Sequence, residues 1–239
     1  MSAVHDDWVV LPHGPLIRLD DGIMTVTGTI PMPLVHLERR MTVVKLRDGS
    51  GIIYSAIALE EEAMRQIEAW AMPRFLIVPG DAHRLDARLY QQRYPKARLI
   101  TPPGARKRVE KVVRVDDTEA DFGDPDVTLV TMAGTGGHEA ALLVRRHSGT
   151  TLIVNDMIGN LGRKDGFEGW LLHVMGFGSE EPQIPTVERL LMVDSKKRLR
   201  RQLLDWAGDP SLTRILMSHG APIEADPAGA LRDLAATLQ

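Results

Sequence analysis

The stretch FLIVPGDAHRLD, residues 75–86, joins a short apolar run to a loop that is rich in charged side chains. The run Phe75–Val78 is typical of a buried central strand, and a Pro-Gly pair ends it. The loop then carries Asp81, His83 and Asp86, which are residue types that bind metal ions or transfer protons. A strand that delivers such a loop is typical of a layered α/β enzyme.

Strands and helices are predicted on both sides of this stretch. The alternating segment 22–30 predicts a strand that the prolines at 31 and 33 end, and residues 41–46 and 52–55 predict a hairpin. Further strands are predicted at 97–100, 127–131, 140–144, 151–154 and 214–217, and helices at 59–70, 87–94, after Gly104, around the basic run 196–201 and at 227–238. Such strand-rich halves, without a regular βαβ rhythm, predict two sheets packed face to face with helices outside. The Gly-rich stretch 159–185 is predicted to be a functional or a mobile loop. Its Trp170 and Phe177 either form a wall of a substrate pocket or belong to the core.

Composition narrows the function classes. The 239 residues, 44% of them hydrophobic, can bury a sizeable core. The net charge of −3 comes from 29 basic and 32 acidic residues that are mixed along the chain, which argues against a nucleic-acid partner. The chain has no cysteine, so disulfides, thiolate metal sites and a thiol nucleophile are excluded. Neither a secretion signal nor a membrane-spanning apolar stretch is evident, and we expect a cytoplasmic protein without a membrane partner.

Seven of the eight histidines divide into two groups by their positions relative to the predicted strands, and the eighth, His173, lies in the stretch 159–185. His5, His13, His36 and His147 are predicted to lie at the surface. The second group follows directly after predicted strands, as Asp156 also does, and consists of His83, His138 and His219. Because the ends of several strands meet at one edge of a sheet, we expect these side chains to converge there.

Four segments that occur in order along the chain, residues 81–86, 135–139, 152–156 and 218–220, together resemble the metallo-β-lactamase superfamily. In that family a strand end carries His-x-His-x-Asp-His, a later Gly-His supplies a third His, a strand-end Asp bridges two metals, and a final His completes the second site. The resemblance covers roughly residues 20–235. It implies a four-layer αββα sandwich of two mixed β-sheets with helices outside, formed by residues 1–239 as a single domain.

The first motif departs from the family pattern. In an ungapped register His83 keeps the second His, Asp81 and Asp86 replace the first and last His, and Leu85 replaces the Asp. A register shifted by one or two positions would leave His83 alone. The resemblance therefore implies a branch with a degenerate first motif, with Asp86 and Asp156 as catalytic residues and Asp81 as an alternative base. The metal ligands that it implies are His83, Asp86, His138, Asp156 and His219.

The chemistry implied by the resemblance is hydrolysis of a small ester, amide, lactone or thioester substrate. A bound divalent ion, zinc in the first place with manganese or iron as alternatives, lowers the pKa of a coordinated water and yields hydroxide. One or two ions fit the ligand set, and the absence of cysteine excludes the branches that place a thiolate on the second metal.

Two other functions stay open on the same fold. One is a di-iron oxidoreductase, and the other is a non-catalytic metal-binding protein or pseudoenzyme. In a vestigial site His138, Asp156 and His219 would only hydrogen-bond the loop backbone. The sequence also leaves open whether the chain forms a homodimer.

Overall fold

The computed structural model of the protein describes residues 4–32, 35–162 and 181–239. Ten strands in the described residues form two sheets. The strands are β1 (Ile17–Asp20), β2 (Ile23–Met32), β3 (Val35–Lys45), β4 (Ser50–Tyr54), β5 (Met72–Ile77), β6 (Arg98–Ile100), β7 (Val127–Thr131), β8 (Ala140–Arg146), β9 (Gly149–Val154) and β10 (Leu212–Met217). The helices are α1 (Glu61–Trp70), α2 (Ala87–Arg93), α3 (Arg106–Val109), α4 (Thr186–Leu191), α5 (Lys196–Ala207) and α6 (Pro227–Ala236).

Both sheets mix parallel and antiparallel strands. The first sheet has the order β1-β2-β3-β4-β5-β6, with antiparallel pairs up to β4 and parallel pairs from β4 to β6. The second has the order β10-β9-β8-β7, in which only β10 and β9 are parallel. Strands β5, β9 and β10 are parallel to a neighbour in their sheet and end in the loops that carry the predicted site residues.

Three apolar clusters hold four layers together. Side chains from both sheets meet between them, where Phe75 packs edge to face on Phe122 with ring centroids 5.0 Å apart. The outer face of the first sheet packs against α1 and α2 through residues such as Ile67 and Tyr90. The outer face of the second sheet packs against α5 and α6, which contribute Leu203 among others. The sequence-based prediction of two mixed sheets with helices outside is confirmed.

The element predictions need few corrections. Strand β2 continues through Pro31 to Met32, so the prediction that the prolines end the strand at Ile30 was wrong. Edge strand β1 pairs only with residues 23–25 of β2, so the missing N–H of Pro31 costs no bond with β1. Helix α4 begins directly after the stretch 159–185 that was predicted to be a loop, and the sequence did not predict it. Trp170 and Phe177, predicted to line a pocket or to belong to the core, lie outside the described residues. Across the described ranges, no helix combines the length and the apolar character needed to span a bilayer.

One buried hydrogen bond joins the two sheets near the ends of β5, β9 and β10. The hydroxyl of Tyr54, on β4, donates to the carbonyl oxygen of Ala140, on β8, over 2.7 Å. We expect Tyr54→Phe to lower the free energy of unfolding by about 1 kcal/mol, because the carbonyl loses its buried donor while the ring still fills its place. Urea denaturation measures the change, and a stability equal to that of the unmodified chain would contradict the inferred role.

Candidate metal centre

Three of the predicted ligands meet at one edge of the sandwich. His83 lies in the loop after β5, Asp156 follows β9, and His219 follows β10. One ligand atom from each residue lies within 4.8 Å of the others, and these three residues are the group in the described part of the chain that could hold a metal ion. All three side chains are at least nine-tenths buried. One ligand comes from the first sheet and two come from the second.

The Asp156 carboxylate is the centre of this group. Its Oδ1 atom lies 2.9 Å from Nε2 of His83 and 3.1 Å from Nε2 of His219. Burial alone would raise the pKa of Asp156, but the charges and hydrogen bonds of His83 and His219 outweigh burial and hold the pKa well below its usual range. Burial lowers the pKa of His219, but the hydrogen bond and charge of Asp156 outweigh this and raise it. The two imidazoles therefore keep Asp156 ionised, as a metal-binding carboxylate must be.

Hydrogen bonds behind the two imidazoles orient them toward Asp156. Nδ1 of His219 donates to the carbonyl oxygen of Glu38 over 2.6 Å, and a carbonyl can only accept. In its neutral form His219 thus has a free lone pair on Nε2, the atom that faces Asp156. Nδ1 of His83 similarly contacts Oγ of Ser55 at 2.7 Å. Such outer contacts fix the ring orientation and tautomer of metal-binding histidines.

Ser55 itself has an unusual backbone conformation. Its φ of +59° lies in the left-handed region, and among the described non-glycine residues it is the one with a positive φ. Its N–H donates to the carbonyl of Ile77 over 3.0 Å, and its side chain is buried beside His83. Strained backbone of this kind persists where surrounding contacts hold it, and it is concentrated at functional sites.

The donor set fits a divalent metal ion. Two imidazole nitrogens and one carboxylate oxygen are ligands that zinc, manganese and iron accept. The Nε2 atoms of His83 and His219 both face Oδ1 of Asp156, so the three ligand atoms are close enough to share one ion. His83 and Asp156 could hold an ion together with His219, as the sequence predicted for these three residues.

His138 contacts another predicted residue rather than the three converging ligands. Its Nδ1 atom is 3.2 Å from Oδ2 of Asp81, which also forms an ion pair with Arg108 over 2.9 Å. The other Asp81 oxygen, Oδ1, is buried and has no hydrogen-bond partner. The structure thus pairs His138 with Asp81 and does not place it among the three converging ligand atoms.

Asp86 has partners that the sequence did not indicate. The Arg39 guanidinium forms a buried ion pair with its Oδ2, which also accepts from the backbone N–H of Ala58 over 3.2 Å. Oδ1 lies 2.7 Å from Nδ1 of His5. Asp86 is 1% exposed. The structure therefore places this carboxylate in an ion pair, outside the converging ligands, and the prediction that His5 is a surface residue was wrong.

A buried chain of hydrogen bonds lies behind the ligands. Ser218 donates to Oδ1 of Asn155 over 2.8 Å, and the amide of Asn155 donates to Oε1 of Glu139 over 3.2 Å. Each member is the neighbour in sequence of a predicted ligand: His138, Asp156 or His219. Burial and the nearby charge of Asp156 raise the pKa of Glu139 well above its usual value. Its Oε2 atom is buried without a partner.

Glu188 on α4 is a further carboxylate near the centre. Burial and the charge of Asp156 raise its pKa to about 7, with a smaller contribution from Asp81, while the charge of His219 acts in the opposite direction. The Glu188 carboxylate thus interacts electrostatically with two of the three converging ligands, Asp156 and His219. Sequence reasoning missed it because it belongs to no motif and follows a stretch without periodic pattern. A lone glutamate in a short helix carries no signal of its position in space.

Comparisons with known proteins bear on the fold. No protein-family model and no curated protein matches the chain. Solved structures do match: the metallo-β-lactamase DIM-1, exposed to ceftazidime, has a TM-score of 0.65 and 11% identity over 96% of this chain and 99% of its own. The mono-zinc form of FIM-1 from Pseudomonas aeruginosa has a TM-score of 0.61 and 10% identity over 95% of this chain and 96% of its own.

A third solved structure matches over a similar share of the chain. A metallo-β-lactamase from Hirschia baltica has a TM-score of 0.59 and 11% identity over 93% of this chain and 98% of its own. The protein therefore has the metallo-β-lactamase fold, and the resemblance inferred from its sequence motifs is confirmed at the level of fold.

The buried Arg39–Asp86 pair yields a stability prediction. We expect Arg39→Met to lower the free energy of unfolding by about 3 kcal/mol, because it leaves a buried carboxylate without its counter-charge. The double variant Arg39→Met/Asp86→Leu removes both charges and should recover at least half of this loss. The exposed pair of Arg198 and Asp194 provides the control, and Arg198→Met should change stability by less than about 1 kcal/mol. Equal effects of the two Arg→Met variants in urea denaturation would contradict the inferred role of the buried pair.

Proposed function

We propose that the protein is a metal-dependent hydrolase of a small ester, amide, lactone or thioester. The observation that carries the proposal is the convergence of His83, Asp156 and His219, whose ligand atoms lie within 4.8 Å of one another at one edge of the sandwich. The metallo-β-lactamase fold supports it, and one neighbour of that fold is described in a mono-zinc form. Fold alone does not set chemistry, so the ligand geometry carries the argument.

We propose a single resident ion, with zinc as the first candidate. The described residues offer one group of three converging ligand atoms, and Asp86, the other predicted oxygen ligand, is paired with Arg39 and His5. The Arg39 charge also acts on the pKa of His219, so a fixed positive charge already lies near that side of the centre. A second divalent cation on that side would meet this charge, and the Asp86 carboxylate is already paired with Arg39.

When bound, the ion supplies Lewis acidity and lowers the pKa of water, which are the needs of carbonyl hydrolysis at neutral pH. His83 and His219 would bind the ion through their Nε2 atoms, because Ser55 and the Glu38 carbonyl occupy their Nδ1 atoms. Asp156 offers its ionised Oδ1 as the third ligand.

Proton transfer is the step for which this chain offers a separate group. We propose Glu188 as the acceptor of the proton released by the attacking water, because its half-buried carboxylate lies near Asp156 and has no ion-pair partner among the described residues. Asp86, predicted to be catalytic, has no such role in this proposal, since it is buried and fully hydrogen-bonded. The pair of His138 and Asp81 is proposed to border the substrate.

Metal content tests the first part of the proposal. Protein purified without chelator should carry one equivalent of zinc or manganese by elemental analysis, and His219→Ala should lose at least 90% of it because the ligand set is broken. His147→Ala is the matched control, since this histidine is exposed in the turn after β8. It should retain the metal and the hydrolysis of a panel of small esters, lactones and thioesters.

The other possible outcomes of the elemental analysis each favour a different conclusion. Absence of metal from the unmodified protein would overturn the hydrolase proposal and favour a non-catalytic protein. Two equivalents would contradict the single-ion part alone. Iron with a visible absorption band, without hydrolysis, would favour an oxidoreductase.

Glu188→Gln tests the proton-transfer role. We expect kcat for the best substrate of the panel to fall by about 100-fold while the metal content stays at one equivalent, because the amide cannot accept a proton. Arg189→Gln, at the next position of α4, controls for damage to this short helix and should leave kcat within about twofold. If Glu188→Gln loses metal instead, Glu188 is a ligand and its assignment as proton acceptor is wrong.

A further inference from the structure

A cleft lies at the end of the sandwich that is remote from the metal centre. It has a volume of about 400 Å³. It is bordered by the ends of β3 and β8, by the turns that follow them and by the turn before β2. Its lining side chains belong to Asp21, Lys45, Leu46, Arg47, Asp126, Arg145, Arg146 and His147. Lys45 and Arg146 lie at the cleft ends of β3 and β8. Arg39 on β3 and Ala140 on β8 lie six residues away, toward the metal centre, so the rise of the strands separates the cleft from the centre by about 20 Å.

The charge of the cleft is opposite to that of the whole chain. Four lysine and arginine side chains line it against two aspartates, although the chain as a whole has a net charge of −3. Arg47 forms an ion pair with Asp126 and is therefore compensated. The remaining cations, Lys45, Arg145 and Arg146, face one further aspartate, Asp21. The cleft thus has a local excess of positive charge.

The three remaining cations form no salt bridge with a carboxylate in the described residues, although the charge of Arg145 helps to lower the pKa of Asp209. Within the described ranges the side chains of Lys45 and Arg145 form neither a salt bridge nor a hydrogen bond, and the Lys45 ammonium lies 5.8 Å from the ring centroid of Trp70. Arg146 donates only to main-chain carbonyls, those of Lys45 and Arg145, each over 2.7 Å. These contacts hold the Arg146 guanidinium in place without neutralising its charge.

The backbone beside Arg146 is adapted to its guanidinium. A Cβ atom at Gly22 would lie 2.3 Å from Nε of Arg146, which is closer than real contacts allow. Gly22 is the residue just before β2, so the guanidinium fits closely against the end of this strand. The Arg146 guanidinium is therefore held by two main-chain carbonyls and by close packing against Gly22.

We propose that this cleft binds a diphosphate group. A guanidinium offers a planar fork of donors that matches phosphate oxygens, and a lysine ammonium adds a point charge. A ligand with several negative charges matches the uncompensated cations better than a singly charged carboxylate. The diphosphate could belong to free inorganic pyrophosphate or to a nucleoside diphosphate, and both present the same group to Arg145, Arg146 and Lys45.

Calorimetric titration at fixed ionic strength tests this site, with inorganic pyrophosphate and ADP as the two probes. We expect saturable binding of pyrophosphate with one site per chain, and we expect Arg145→Gln to weaken it about tenfold. Arg145 is exposed and its side chain forms neither a hydrogen bond nor a salt bridge within the described residues, so its replacement should not affect folding. Arg201→Gln on α5 is the matched control, because it removes an exposed arginine far from the cleft.

The two probes separate the sources of the diphosphate. ADP that binds more tightly than pyrophosphate, with the same loss in Arg145→Gln, identifies a nucleotide site, whereas ADP that does not bind identifies a site for the free anion. Absence of saturable binding of both probes overturns the proposal, as do equal losses in Arg145→Gln and Arg201→Gln. Binding that His219→Ala abolishes would place the anion at the metal centre and would likewise overturn it.

Discussion

The hydrogen-bond chain of Ser218, Asn155 and Glu139 is the interaction on which the site depends. It joins the ends of β10, β9 and β8 beneath the residues that face the centre. Gly80, at the end of β5 in the other sheet, packs so closely that a Cβ atom would lie 2.2 Å from Oε1 of Glu139. A neighbouring backbone bond runs from the N–H of Ala140 to the carbonyl of Pro79 over 2.9 Å. Four strand ends from two sheets are thus held at one place.

This arrangement explains why polar residues are buried where the apolar strands end. Asn155 can donate and accept at once, so it bridges a hydroxyl on one side and a carboxyl group on the other. A buried network of this kind is stable only when most of its members are satisfied. The unpaired Oε2 of Glu139 and Oδ1 of Asp81 are exceptions, and both lie next to residues of the candidate centre.

Much of the fold could be predicted from the sequence, because apolar runs such as Phe75–Val78 lie in buried strands and turn residues follow them. The convergence of His83, Asp156 and His219 was also predictable, since each follows a strand. The partners of Asp86 were not, because Arg39 lies far away on β3 and His5 lies in a segment without regular structure. A pattern of alternating residues does not reveal whether a charged side chain on a strand finds a buried counter-charge.

The conformation of Ser55 was equally hidden. A serine with a positive φ has no sequence signature comparable to glycine, and only the packing of the strand end imposes it. The prediction that the strand ends before Pro31 failed for a related reason. Proline usually ends a strand, but it is tolerated in β2 at a position where β1 does not pair. In both cases the local preference of a residue was overridden by its neighbours in space.

The position of His83 in one sheet and of Asp156 and His219 in the other has a mechanical consequence. An ion held by all three would act as a cross-link between the sheets, in addition to the apolar contacts of Phe75 and Phe122. Any sliding of one sheet over the other would then stretch bonds to the ion before it disturbed the apolar layer. The bound ion would therefore fix the relative position of the two sheets at this edge, and the alignment of the sheets would determine how tightly the ion is held.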